Sequence, residues 1–219
     1  PPPPPPPPLS PFYTFQNQLY THNPSTGWPD AWFSPTLIHA LTTNTKAAMH
    51  SLVQQIDTNI YTFPMFTEST CNFFLQELDY YTASNLPSPR PNSMNKYGLI
   101  LNSIGLADSF SRLQADVLNK ISAHLFPEEG LSLDTHHTFL VQYKPGEDLG
   151  LDMHTDDSDV TFNVCLGRDG FTGANLEFCG AFGTTSHRQQ KATYKHIKGH
   201  CVVHLGRQRH GACNILSGE

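Results

Sequence analysis

The chain reads as an α+β protein, helical in its first part and an antiparallel sandwich or jelly roll in its second. Three observations lead there. Leu106, Phe110, Leu113, Val117, Ile121 and Leu125 recur at threes and fours, the period of one helix face. After Gly130 the character changes to short β-branched and aromatic runs separated by Gly, Asp and Lys turns. Such runs lie near 137–143, 149–154, 160–166, 174–179, 193–197, 200–205 and 209–215, a spacing that suits paired antiparallel strands.

The elements follow in order. Pro1 to Pro8 form a polyproline II rod of about 25 Å at roughly 3.1 Å per residue, read as a spacer, a docking ligand or a hydroxylation substrate. Leu9 to Pro35 is irregular, but Phe12, Tyr13, Phe15, Trp28, Trp32 and Phe33 mark it as a strap packed on the domain. Ser34 caps a helix with Pro35 at its first position, and Leu37, Leu41, Met49, Leu52, Val53 and Ile56 extend its face across a Thr-rich weak point. Tyr61 to Phe63 is a short strand, and Thr67 starts a helix to about Tyr81. Ser84 to Asn95 is a Pro-, Ser- and Asn-rich loop, Tyr97 to Leu101 a strand, and the helix after Gly105 stops at Pro127. Residues 1–35 thus make an N-terminal extension and 36–219 one domain, with 34–130 mainly helical support and 131–219 the jelly-roll core.

Composition narrows the function. A net charge of −6 without a Lys/Arg block argues against nucleic-acid or anionic-membrane binding. No apolar run approaches the roughly 18 residues of a membrane span. Cys71, Cys165, Cys179, Cys201 and Cys213 are scattered, odd in number and free of C-x-x-C spacing, and no N-x-S/T sequon occurs. Both features suit a reducing cytoplasmic or nuclear setting.

The chemistry-bearing stretch is His154-Thr155-Asp156, an H-x-D pair at the end of one strand run and the entrance to the next. Two imidazoles and one carboxylate bind non-haem Fe(II) on one face and leave positions open for substrates. The spacing selects Asp156, while Asp157 and Asp159 face solvent or hold the turn. For the second imidazole His187 lies in a polar loop, His196 within a strand and His200 in a turn. His204 and His210 remain, and spacing alone does not separate them.

Phe139–Gly146, His154–Val164, Phe171–Phe178, Gly199–His204 and Arg209–Ala212, in that order, resemble the catalytic domain of Fe(II)/2-oxoglutarate-dependent dioxygenases. The likeness is to the prolyl 4-hydroxylase and procollagen-lysyl hydroxylase branch. Arg90–Gly98 further resembles the members named for a 2-oxoglutarate and iron-dependent oxygenase domain. The resemblance implies a double-stranded β-helix (jelly-roll) core with His154, Asp156 and His210 as catalytic iron ligands. It implies that Tyr143 hydrogen-bonds 2-oxoglutarate, that Asn163 lies near it, and that Leu176 and Val202 wall the pocket. It also implies hydroxylation of a prolyl or lysyl residue of a polypeptide, a proline-rich one among the candidates, with O2 consumed, succinate and CO2 released, and ascorbate (vitamin C) as reductant. The alternatives kept open are a catalytically silent scaffold or peptide-binding module, and an oxygenase for a small molecule or nucleobase. In this family a basic residue about ten positions past the distal histidine clamps the far carboxylate, a bidentate contact hard to replace. That position, and a closing strand, are expected just beyond Glu219.

Overall fold

The computed structural model describes residues 24–84, 86–87 and 89–219. The polyproline run and the first aromatics of the strap lie outside them. The helical layer opens with α1 (Pro35–Thr43), whose N-cap Ser34 accepts a hydrogen bond from the Leu37 amide. The expected single helix from Ser34 to Ile56 is two. The β-branched Thr42 and Thr43 weaken the end of the first, and Asn44 adopts φ 48°, a left-handed cap. Thr45 then caps α2 (Lys46–Leu52), and Ile56 belongs to strand β1 (Gln54–Asp57) instead. After β2 (Ile60–Pro64) comes α3 (Glu68–Ala83), with Thr67 as its cap and Cys71, Phe74, Leu78 and Tyr81 inward.

Strand β3 (Gly98–Ile100) precedes α4 (Ala107–Leu113), which runs through a π segment (Gln114–Leu118) into α5 (Asn119–Leu125). Phe110, Leu113, Val117, Ile121 and Leu125 stay on one buried face across the π segment. Trp28, Trp32 and Phe33 are buried in the same cluster as these helices. Trp28 stacks on Phe66 at 5.8 Å between centroids, and its indole N–H donates to the Ser109 carbonyl at 2.7 Å. This second bond ties the strap to α4.

The strands are β4 (Phe139–Val141), β5 (Leu151–His154), β6 (Val160–Val164), β7 (Thr172–Gly173), β8 (Leu176–Ala181), β9 (Gln190–Tyr194), β10 (His200–Leu205), β11 (Gln208–Ala212) and β12 (Ile215–Ser217). Among the described residues they form, with β1 to β3, two four-stranded antiparallel sheets, ordered β1-β2-β10-β6 and β5-β11-β8-β9, and the small pairs β12-β7 and β3-β4. The expected strand 209–215 is divided at Cys213 and Asn214, and 193–197 is displaced to 190–194, so His196 lies outside any strand. No closed barrel is formed by these pairings. Among the described residues no helix is long and apolar enough to cross a membrane.

Alternation on β10 sets the layers. Cys201, Val203 and Leu205 face the helices, whereas Val202 joins Ile60, Leu176, Phe178 and Ala212 in a second cluster between the sheets. Burying each such aliphatic or aromatic side chain contributes roughly 1.5–3 kcal/mol. A one-residue slip of β10 would turn both sets the wrong way, so its register is strongly specified. His204 follows Val202 by two and therefore enters the same inter-sheet space.

Candidate metal centre

The site forms where β5 and β11 pair, with His154 directly opposite His210 in the register. Asp156 follows β5 by two residues in a turn that is held from both ends. Its amide donates to the Gly206 carbonyl at 2.9 Å, and the Gly206 amide donates to the Asp159 carbonyl at 3.0 Å. Gly206 has no room for a side chain, because a Cβ would stand 1.8 Å from the Ser158 carbonyl oxygen. Gly206→Ala must displace this turn, and we expect a loss on the order of 1–3 kcal/mol, read as a lower midpoint in urea unfolding. An unchanged midpoint would show that the two turns are not locked together.

One donor atom from each of His154, Asp156 and His210 lies within 4.8 Å of the others. The orientation of both rings is fixed at the far nitrogen. His154 Nδ1 is 2.8 Å from the Asp152 carbonyl, and His210 Nδ1 is 3.0 Å from the Gln208 carbonyl. A carbonyl only accepts, so each ring carries its proton on Nδ1 when neutral and turns a bare Nε2 inward. Those nitrogens face the two Asp156 oxygens, His154 Nε2 at 3.2 Å and His210 Nε2 at 3.6 Å. Lone pairs opposed in this way require a cation or an added proton between them. Carbonyl-anchored imidazoles and an oriented carboxylate are how metal-binding side chains are held, so the residues fit a divalent metal.

The electrostatics agree. Burial opposes the charge of Asp156, but a hydrogen bond from His154 once that ring takes a second proton, one from Thr161, and the nearby His210 bring its pKa down to about 2. The Thr161 hydroxyl donates to Asp156 Oδ2 at 2.5 Å. Burial also opposes charge on His154, yet its bond to Asp156 raises its pKa above the usual value. For His210 burial prevails and the pKa falls.

The other histidines lie apart from this cluster or beside it. His187 Nδ1 donates to the Thr184 carbonyl in an outer turn, and His196 follows β9 with its pKa lowered by burial to about 4. His200 opens β10. His204 is fully buried, with its ring centroid 4.4 Å from that of His210, but it does not join the three-donor group. Tyr143 packs on the inter-sheet cluster, where burial raises its pKa and keeps the phenol protonated. Asn163 pairs in register with Val202 and shares the face of Thr161. The sequence reading missed Thr161. Its alternation with Asn163 along β6, five residues after Asp156, was the available signal.

A family model described as the OGFOD2-like domain matches residues 10–131. A 2-oxoglutarate and iron-dependent oxygenase domain-containing protein, ICU11 of Arabidopsis thaliana, is 33% identical over 96% of this chain and 54% of its own length. The Homo sapiens 2-oxoglutarate and iron-dependent oxygenase domain-containing protein 2 is 37% identical over 79% of this chain and 51% of its own. Procollagen-lysine,2-oxoglutarate 5-dioxygenase 1 of Gallus gallus is more distant, 27% identical over 76% of this chain and 23% of its own. The chain spans about half the length of the first two relatives. The crystal structure of the non-heme alpha-ketoglutarate-dependent epimerase SnoN from nogalamycin biosynthesis aligns with a TM-score of 0.54 at 17% identity, covering 83% of this chain and 80% of that one. That likeness is one of fold.

Proposed function

Because the chain belongs to the OGFOD2-like domain family, we propose that His154, Asp156 and His210 hold Fe(II) in a 2-oxoglutarate-dependent hydroxylase. One observation carries this reading: two carbonyl-anchored imidazoles turn bare nitrogens onto a single carboxylate. Iron with 2-oxoglutarate and O2 supplies the oxidant for C–H hydroxylation, with succinate and CO2 released and ascorbate as reductant. The two sheets around the site are read as a double-stranded β-helix core within an oxygenase domain of residues 36–219.

The chain's own residues position and protect. Thr161 holds Asp156 Oδ2, so that Oδ1, which faces His154 Nε2, would be the oxygen offered to the metal. Tyr143, protonated in its apolar surroundings, offers an O–H to a carboxylate, and Asn163 adds an amide on the neighbouring face. Leu176, Phe178 and Val202 form an apolar wall that shields the site from bulk solvent. Five free thiols fit a cytoplasmic or nuclear setting. The substrate class is a prolyl or lysyl side chain in a polypeptide, by analogy with the procollagen-lysine dioxygenase relative.

Succinate formation from 2-oxoglutarate with added Fe(II), in the presence of proline- and lysine-containing peptides, tests the proposal. We expect peptide-stimulated succinate and a one-oxygen mass gain on the peptide. Metal binding without any succinate would leave a silent scaffold, and oxygen gain on free metabolites alone would overturn the polypeptide substrate. Thr161→Val, which removes the hydroxyl that orients Asp156, is expected to weaken Mn(II) binding about 10–100-fold by titration. Unchanged affinity would show that the turn alone positions the carboxylate.

A further inference from the structure

His204 is fully buried on β10, opposite Thr161 on β6 and Ile60 on β2. Its Nδ1 lies 2.9 Å from the Leu205 carbonyl, so the proton is on Nδ1 and Nε2 is a bare acceptor. That Nε2 is buried and meets no donor among the described residues. A buried acceptor without a partner costs free energy that an apolar side chain would not, and such orphans call for an absent water or ligand.

The location says which. The ring lies 4.4 Å from His210 and 5.4 Å from Phe178 between centroids, and its register partner Thr161 donates to Asp156. Yet His204 contributes no atom to the group of donors within 4.8 Å of one another. It is therefore an acceptor at the margin of the cluster and not a fourth ligand. Whatever satisfies it must carry a hydrogen.

We propose that His204 Nε2 accepts a hydrogen bond from a water held at an open position of the metal centre, which makes His204 a positioning residue for that water. The inference rests on the metal reading above. Keto and carboxylate oxygens of a 2-oxo acid have no hydrogen to donate, so they leave His204 unsatisfied where water does not. On its side of the cluster His204 would therefore favour water over the acid.

Co(II) alone, without 2-oxoglutarate, is the probe. Wild type, His204→Phe, His204→Leu and His204→Gln are compared for Co(II) affinity, visible absorption and metal-free melting temperature. The two apolar variants differ in shape, so a folding failure in one leaves the other to report. We expect both to fold, to bind Co(II) about 10-fold more weakly, and to absorb more strongly as the water is lost and the coordination number drops. His204→Gln retains a carbonyl acceptor and should move affinity and spectrum back toward wild type. Wild-type affinity and spectrum in the apolar variants would overturn the proposal and leave His204 a packing residue. A Gln variant that behaves as Phe would overturn it too, because shape and not the acceptor would then matter. Absence of Co(II) binding to wild type would instead remove the metal reading itself.

Discussion

Asp156→Ala should abolish metal binding and hydroxylation together. Asp156 supplies the anionic donor of the cluster, faces both imidazole Nε2 atoms and is held at a pKa of about 2. With it removed, His154 and His210 face each other across an apolar methyl, with their ring centroids 4.4 Å apart. We expect Mn(II) affinity to fall by at least about 100-fold, the upper range seen when mere supporting partners of a ligand are lost. Peptide-dependent succinate should drop to background. The fold should persist, because Asp156 lies in a turn whose backbone is bonded to Gly206 independently of the side chain. Isothermal titration with Mn(II) beside a circular dichroism spectrum separates the outcomes. Retained affinity in a folded variant would move the metal site elsewhere.

Acid should destabilise the metal-free protein well above the range in which carboxylates titrate. Burial lowers the pKa of His196 to about 4 and that of His204 to about 3 in the folded chain. In the unfolded chain both return to about 6.5. Between those values the unfolded state binds protons that the folded state refuses, so stability falls as pH falls. The slope is roughly 1.4 kcal/mol per pH unit for each proton. His210 adds to the same direction through burial. His154 opposes it: its raised pKa contributes stability below about 6.5 that is lost as pH rises through the folded value. Asp156 contributes stability above about 3.9 that is lost only as pH falls toward 2. Urea midpoints from pH 7.5 down to about pH 4.5 should therefore decline steadily, with more than one proton in the slope. His196→Leu should flatten part of that decline. A midpoint unchanged across this range would mean that these histidines are solvated.

Much of the secondary structure could be read locally because its signals are local. Ser34 and Thr67 each cap a helix through their own hydroxyl, and the face from Phe110 to Leu125 repeats with the helical period. Strand 200–205 was legible to the residue, because it is a short, almost wholly buried run that follows the Gly199 turn. Errors fell where neighbours override pattern. Ile56 continues a helical face in sequence but pairs in β1 beside β2, and 209–215 looks continuous although Cys213 and Asn214 leave the sheet. His196 looked like a strand residue because the alternating run ends later in sequence than the pairing does in space.

The sequence by itself determined the helical-then-strand order, the H-x-D pair and, through ordered motifs, the family. It could not choose His210 over His204 by spacing, because the two flank one turn on consecutive strands. The family resemblance implied His210, and the register of the sheets sets the two histidines apart. Pairing β11 with β5 sets His210 opposite His154, while β10 pairs with β2 and β6 and sends His204 behind the cluster. The tertiary structure likewise recruited Thr161, Gly206 and three backbone carbonyls, none of which carries a metal-site signature in sequence. Ligand identity is a property of residue type, but ligand geometry comes from hydrogen bonds between strands far apart in the chain, and those exist only once the sheets have formed.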